Sequence, residues 1–139
     1  MKQKIIISDR DERRIRSLLD TRRSANAAEA ENLQRLAGEL DRARILPPEE
    51  MPSDVVALGS TVELEDLEDN EISTYTLVLP HEADASQGRI SVLAPLGTGM
   101  LGFREGDEFK WPVPTGTIKV RIRRLIAQAS TPAATPVAS

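Results

Sequence analysis

The 139-residue chain contains no cysteine, which excludes a disulfide framework and any thiolate metal site. It has one histidine, His81, so a Ser-His-Asp arrangement would have to be assembled around a single loop imidazole. Any metal site would fall to carboxylates alone. Aromatic residues are scarce, with one Trp, one Tyr and two Phe, and the core must be built from Leu, Ile, Val and Ala. Long apolar runs are missing as well. Nothing approaches the roughly 18 residues of a membrane span, and Ile5-Ile6-Ile7 is too short for the apolar region of a secretion signal. These absences lead to the expectation of a cytoplasmic protein that meets no membrane.

What remains is globular composition, with room for one ordinary domain or a small β-domain plus a helical appendage. The net charge of −4 is unevenly spread. Residues 1–46 carry eleven Lys/Arg against eight Asp/Glu (+3), and residues 47–139 carry seven against fourteen (−7). A mildly basic arm on an acidic body suggests two modules. The acidic body argues against a phosphate-tracking surface there, which needs clustered Lys/Arg. Charges this modest are also compatible with two solvated faces.

The β-branched segment Gln3 to Ser8 reads as extended. Ser8-Asp9 then reads as a helix start, with Asp9 as the capping acceptor and Glu12 at capping-box spacing. A first helix is predicted to run to about Thr21, with Ile15, Leu18 and Leu19 on one face. Arg22 to Asn26 reads as a turn. A second helix is predicted from Ala27 to Leu46, where Leu33, Leu36, Leu40 and Ala43 recur at the spacing of a coiled-coil seam. Together they predict an antiparallel two-helix hairpin within an N-terminal unit of residues 1–46.

Pro47-Pro48 ends the helix and opens a linker at 47–54. From residue 55 the pattern becomes β. Val62 and Leu64 alternate with Glu63 and Glu65, the 68–71 segment turns, and Ile72 to Leu79 returns. Arg89–Leu93 and Thr117–Leu125 read as further strands, with a short helix near Leu96–Leu101. The fold class is therefore α+β: a helical hairpin plus a mainly antiparallel β-domain over 55–127, followed by an Ala/Thr/Pro/Ser-rich tail at 128–139 expected to be disordered.

Gly97-Thr98-Gly99-Met100-Leu101-Gly102 matches the dinucleotide fingerprint, but that motif needs a full crossover helix and a second parallel strand. Glu105-Gly106-Asp107 turns the chain at once and Pro112 and Pro114 follow, so close packing around the glycines is expected and no cofactor. The acidic run Glu63 to Glu71 could attract a hard cation loosely. It lacks the central glycine of an EF-hand loop and reads better as a solvated hairpin end, so no metal is expected.

One further set of residues has a family pattern. Ser91, Ala94-Pro95-Leu96-Gly97, Leu101-Gly102 with Gly106-Asp107, and Pro114-Thr115-Gly116 resemble the C-terminal domain of the Gre transcript-cleavage factors. Ile5-Ile6-Ile7-Ser8-Asp9, Glu39 to Ala43 and Pro48 to Val56 resemble the Rnk subfamily, the regulators of nucleoside diphosphate kinase. The resemblance implies an FKBP-like body docking on the rim of the RNA polymerase secondary channel through Ala94, Pro95, Leu96 and Gly97. It places Pro95 and Leu96 on an exposed loop before the short helix, the alternative being that Leu96 packs inward as the first apolar residue of that helix. It also implies a hairpin pointing into the channel, near DNA and RNA. In Gre factors the hairpin tip carries paired acids that help to hold the polymerase's catalytic magnesium. Here the tip offers Asp20, Arg22 and Arg23, and two cations repel a metal ion.

The expected function is thus a monomeric transcription elongation modulator that binds polymerase and competes with Gre factors, without being an enzyme. The alternatives are an FKBP-like isomerase or chaperone, which would need an open aromatic pocket, and a direct protein regulator of nucleoside diphosphate kinase.

Overall fold

The computed structural model describes residues 5–21, 27–113 and 116–127. The tip residues Arg22 and Arg23 and the tail at 128–139 lie outside them. The chain begins with strand β1 (Ile6–Ser8), helix α1 (Asp9–Thr21), helix α2 (Ala27–Arg42) and strand β2 (Arg44–Leu46). The body follows as β3 (Thr61–Asp66), β4 (Ile72–Val78), β5 (Arg89–Ser91), α3 (Pro95–Met100), β6 (Glu108–Val113) and β7 (Gly116–Ala127). Helices and two sheets together make a mixed α+β fold.

The start of α1 is set by Ser8 rather than Asp9. Its buried Oγ accepts the Asp11 N–H at 3.1 Å, closing one of the free donors of the first turn. Ser8 is the last residue of β1, so the cap comes from a strand end. Helix α2 stops at Arg42, four residues short of the predicted Leu46. The reason is non-local: the Arg44 N–H donates to the Ile5 carbonyl at 2.8 Å, and Ile6, Ile7 and Ser8 pair in parallel with Arg44, Ile45 and Leu46. Parallel neighbours need a crossover connection, and the helical hairpin is that crossover.

Five strands form the main sheet in the order β5-β4-β3-β7-β6. The β3–β4 hairpin turns through Asn70, which takes φ 62°. Strand β7 lies between β3 and β6 and is antiparallel to both, whereas the short edge strand β5 runs parallel to β4. Strand β6, like β2, is an element that pattern reading missed. Pro112 sits inside it, which is tolerated because β6 is an edge strand with one unpaired side.

Val62, Leu64, Leu77, Phe109, Val120 and Ile122 turn to one buried side of the sheet. Ile15 of α1 and Leu36 and Leu40 of α2 are buried in the same cluster, together with Met100 at the end of α3 and Leu101 just after it. Burying each such side chain contributes about 1.5–3 kcal/mol, so helices that would be marginal in isolation are held by the body. Phe103 and Phe109 meet at 5.9 Å between ring centroids, tilted by 50°, and both are core residues. On the other side of the sheet, Glu63 pairs with Arg123 and Arg124, and Arg121 bridges Glu65 and Glu108.

Candidate protein-docking site

The Ala94–Gly97 segment is built from the end of β5. Val92 continues the ladder by donating its N–H to the Val78 carbonyl at 2.8 Å. The Ser91 carbonyl then accepts from the Ala94 N–H at 3.0 Å and turns the chain. Ala94 is extended (φ −76°, ψ 151°) and Pro95 opens α3, the first-turn position where a missing N–H costs nothing. The segment is therefore the first turn of a helix, not the exposed loop predicted. Pro95 is exposed and Ala94 half-buried, but Leu96 packs half-buried against the core and Gly97 is buried. A Cβ on Gly97 would run into the Ser91 carbonyl and the Leu77 side chain. Gly102, at φ 80°, lies in the same way against Ile5 and the Ile6 backbone. The two outer glycines of the dinucleotide-like run thus serve close approach.

Sequence reasoning missed two residues of this region, Asn32 and Thr98. Both are buried. Asn32 Nδ2 donates to the Leu93 carbonyl at 2.7 Å and to Thr98 Oγ1 at 3.0 Å, and Thr98 Oγ1 donates onward to the Val92 carbonyl at 2.7 Å. One signal could have found Asn32: it stands one helical turn before Leu36, where the apolar stripe of α2 calls for a hydrophobic residue.

Between α2 and this segment lies an open groove of about 500 Å³. Glu29 and Asn32 line it from the helix, Ser91, Leu93, Ala94 and Pro95 from the body, with Pro80 completing it. Its surface is mostly apolar, suited to receiving a side chain from another protein.

The remaining candidate residues are scattered. Asp20 is exposed in the last turn of α1. His81 is exposed in a short turn after β4. The acidic run is taken up locally: Glu63 and Glu65 by arginines, and Asp66 and Asp69 by backbone N–H groups two residues on. The neighbouring Arg124 and Arg123 hold the Glu63 carboxyl below its ordinary value. Among the described residues no group of three or more His, Asp or Glu side chains is placed to hold a metal ion. No described helix is long and apolar enough to cross a membrane.

A helical hairpin seated on a small β-domain, with a mostly apolar groove at their junction, is a two-part scaffold suited to holding another protein. The comparisons with known proteins give its class. Residues 51–125 match the model of the C-terminal domain of the transcription elongation factors GreA/GreB, and residues 3–46 match that of the Rnk N-terminus. The chain belongs to this family, in its Rnk branch.

It is 43% identical over 112 residues to the regulator of nucleoside diphosphate kinase of Escherichia coli K12, covering 81% of this chain and 80% of that protein. The transcription elongation factor GreA of Desulfovibrio desulfuricans is 40% identical over 79 residues, which span 57% of this chain and 49% of that factor. Among solved structures, the GreA/GreB factor of Nitrosomonas europaea superposes with a TM-score of 0.72 at 39% identity, over 89% of this chain and 98% of that one. Membership points to a regulator of the transcription elongation-factor type.

Proposed function

We propose that this protein is a modulator of transcription elongation that docks at the rim of the RNA polymerase secondary channel, competes there with Gre-type factors and stimulates no transcript cleavage. In this reading the β-domain is of FKBP-like type, α1 and α2 pack as a short coiled coil, and one copy acts alone in the cytoplasm as a binder, not an enzyme. The observation that carries it is the match of residues 51–125 to the GreA/GreB C-terminal domain. Within that stretch the Ala94–Gly97 turn presents exposed Pro95 at the edge of the groove. Polymerase is the occupant assigned to this groove because the matched family consists of elongation factors. The sequence of the hairpin tip supports the absence of cleavage, since Arg22 and Arg23 stand beside a lone Asp20.

The test is a competition assay on core RNA polymerase. The chain is expected to displace a labelled Gre factor at micromolar concentration or better, about −8 kcal/mol. Absence of binding to core polymerase would end the proposal. The name of the Escherichia coli relative favours a second reading, direct action on nucleoside diphosphate kinase. Pull-down of purified kinase by the purified chain separates the two.

A further inference from the structure

We infer that Asn32 is a positioning residue for the docking surface: through two buried hydrogen bonds it holds helix α2 and the 92–98 segment in one arrangement. The inference rests on the docking reading above and goes beyond it, because it gives the hairpin a part in building the surface.

Asn32 is 7% exposed and Thr98 2%, so neither amide nor hydroxyl has ready access to water. The orientation of the amide follows from the chemistry. Reversed, it would set Oδ1 against the Leu93 carbonyl oxygen, two acceptors face to face. With Nδ2 facing inward, one hydrogen reaches Leu93 and the other Thr98, while the Thr98 hydroxyl spends its own proton on Val92. Helix α2 thereby holds the Leu93 carbonyl directly and the Val92 carbonyl through Thr98.

Such bonds are directional where leucine packing is not. Leu36 and Leu40 bury the apolar face of α2, and a slide of the helix would also break both bonds of Asn32 in a buried place. The same helix supplies the Glu29–Asn32 wall of the groove. Asn32 therefore sets the width of the groove and the shape of the turn leading to Pro95 before anything binds. A surface shaped in advance loses less ordering entropy on association. It also ties the hairpin direction to the docked body.

The experiment compares full-length Asn32→Leu, Thr98→Val and the double variant, with Pro95→Asp as a direct-contact control. Two quantities are measured: protection of the backbone amides of residues 93, 94 and 96–98 (and, where Asn32 is retained, of its side-chain amide) by nuclear magnetic resonance, and competition against a Gre factor on core polymerase. Asn32→Leu is expected to raise exchange at these backbone amides selectively and to weaken binding about tenfold. The double variant is expected to be little worse than Asn32→Leu alone, because both substitutions break one network. Thr98→Val carries the test if Asn32→Leu loses its cooperative folding transition. Wild-type exchange and wild-type binding in a folded Asn32→Leu or Thr98→Val protein would overturn the inference while Pro95→Asp still weakened binding. If Pro95→Asp also bound as wild type, the docking reading would fall and take the inference with it.

Discussion

The Asp11 carboxylate, in the first turn of α1, accepts the N–H of Leu58 at 3.2 Å across 47 residues of chain. It is the α1 counterpart of the Asn32 contact, and it fastens the base of the hairpin to the loop before β3. Burial pushes the Asp11 carboxyl above its ordinary value of 3.8, against the Leu58 bond and the charge of Arg14, which act the other way.

A pH-dependent stability follows from that relation. A raised value means that the folded state favours the proton. The contribution of Asp11 is then fully present below about pH 3.8 and lost as pH rises through the raised folded value. Asp11→Asn keeps an acceptor for Leu58 without the buried charge. It should be more stable than wild type at pH 7, with the difference closing toward pH 4, as read by urea denaturation. Glu63 works in the opposite sense, contributing above its ordinary 4.5 and losing that contribution as pH falls through its lowered value. An Asn variant less stable than wild type at pH 7 would contradict the assignment.

Capping predicts a contrast between neighbours. Ser8→Ala removes the acceptor of the Asp11 N–H in a buried cap and should cost about 1 kcal/mol. Asp9→Ala should cost less, because among the described residues Asp9 makes only a long, exposed pair with Arg13 at 3.8 Å. Equal losses in chemical denaturation would mean that Asp9 caps the helix after all.

Two glycines with similar backbone angles separate strain from crowding. Gly106 has φ 94° and open space where a Cβ would stand, so Gly106→Ala should cost about 1 kcal/mol of strain. Gly102 has φ 80° and Ile5 in the way, so Gly102→Ala should cost more than about 2 kcal/mol. Thermal unfolding of the pair provides the comparison.

At the docking segment, fold and binding divide between adjacent residues. Leu96 packs on the core, and Leu96→Asp should lower folding stability by about 2–3 kcal/mol. Exposed Pro95 opens α3, where an aspartate is well tolerated, so Pro95→Asp should keep the wild-type melting temperature. Its affinity for core polymerase should fall by about tenfold or more. A Pro95→Asp protein that competes at wild-type concentration would remove this turn from the docking surface.

In a backtracked elongation complex at ordinary magnesium concentration, the chain should leave the rate of transcript cleavage unchanged. The reason is the tip composition, Asp20 with Arg22 and Arg23, which supplies too little negative charge to share a metal ion. Robust stimulation on gel analysis of the cleaved transcripts would contradict it.

Much of the fold was legible because the signals are local. The apolar spacing of Ile15, Leu18 and Leu19 specifies α1, the 68–71 turn lies between β3 and β4, and the alternation from Ile118 to Ile122 specifies β7. Each depends on residues within a few positions of one another. The family pattern around Ala94–Gly97 was legible for the same reason.

What only the tertiary structure decided depends on partners far along the chain. Arg44–Leu46 carries no strong β signal, and it leaves the helix because Ile5–Ser8 lies beside it with unpaired backbone groups. Strand β6 tolerates Pro112 because it falls at the sheet edge, a position no local pattern reveals. Leu96 looks like a surface anchor in sequence but turns inward once Pro95 opens a helix over the core. Asn32 reads as a blemish in a leucine stripe until Leu93, 61 residues away, supplies the acceptor. Periodicity tells which face of an element is buried, and only the assembled fold tells what that face meets.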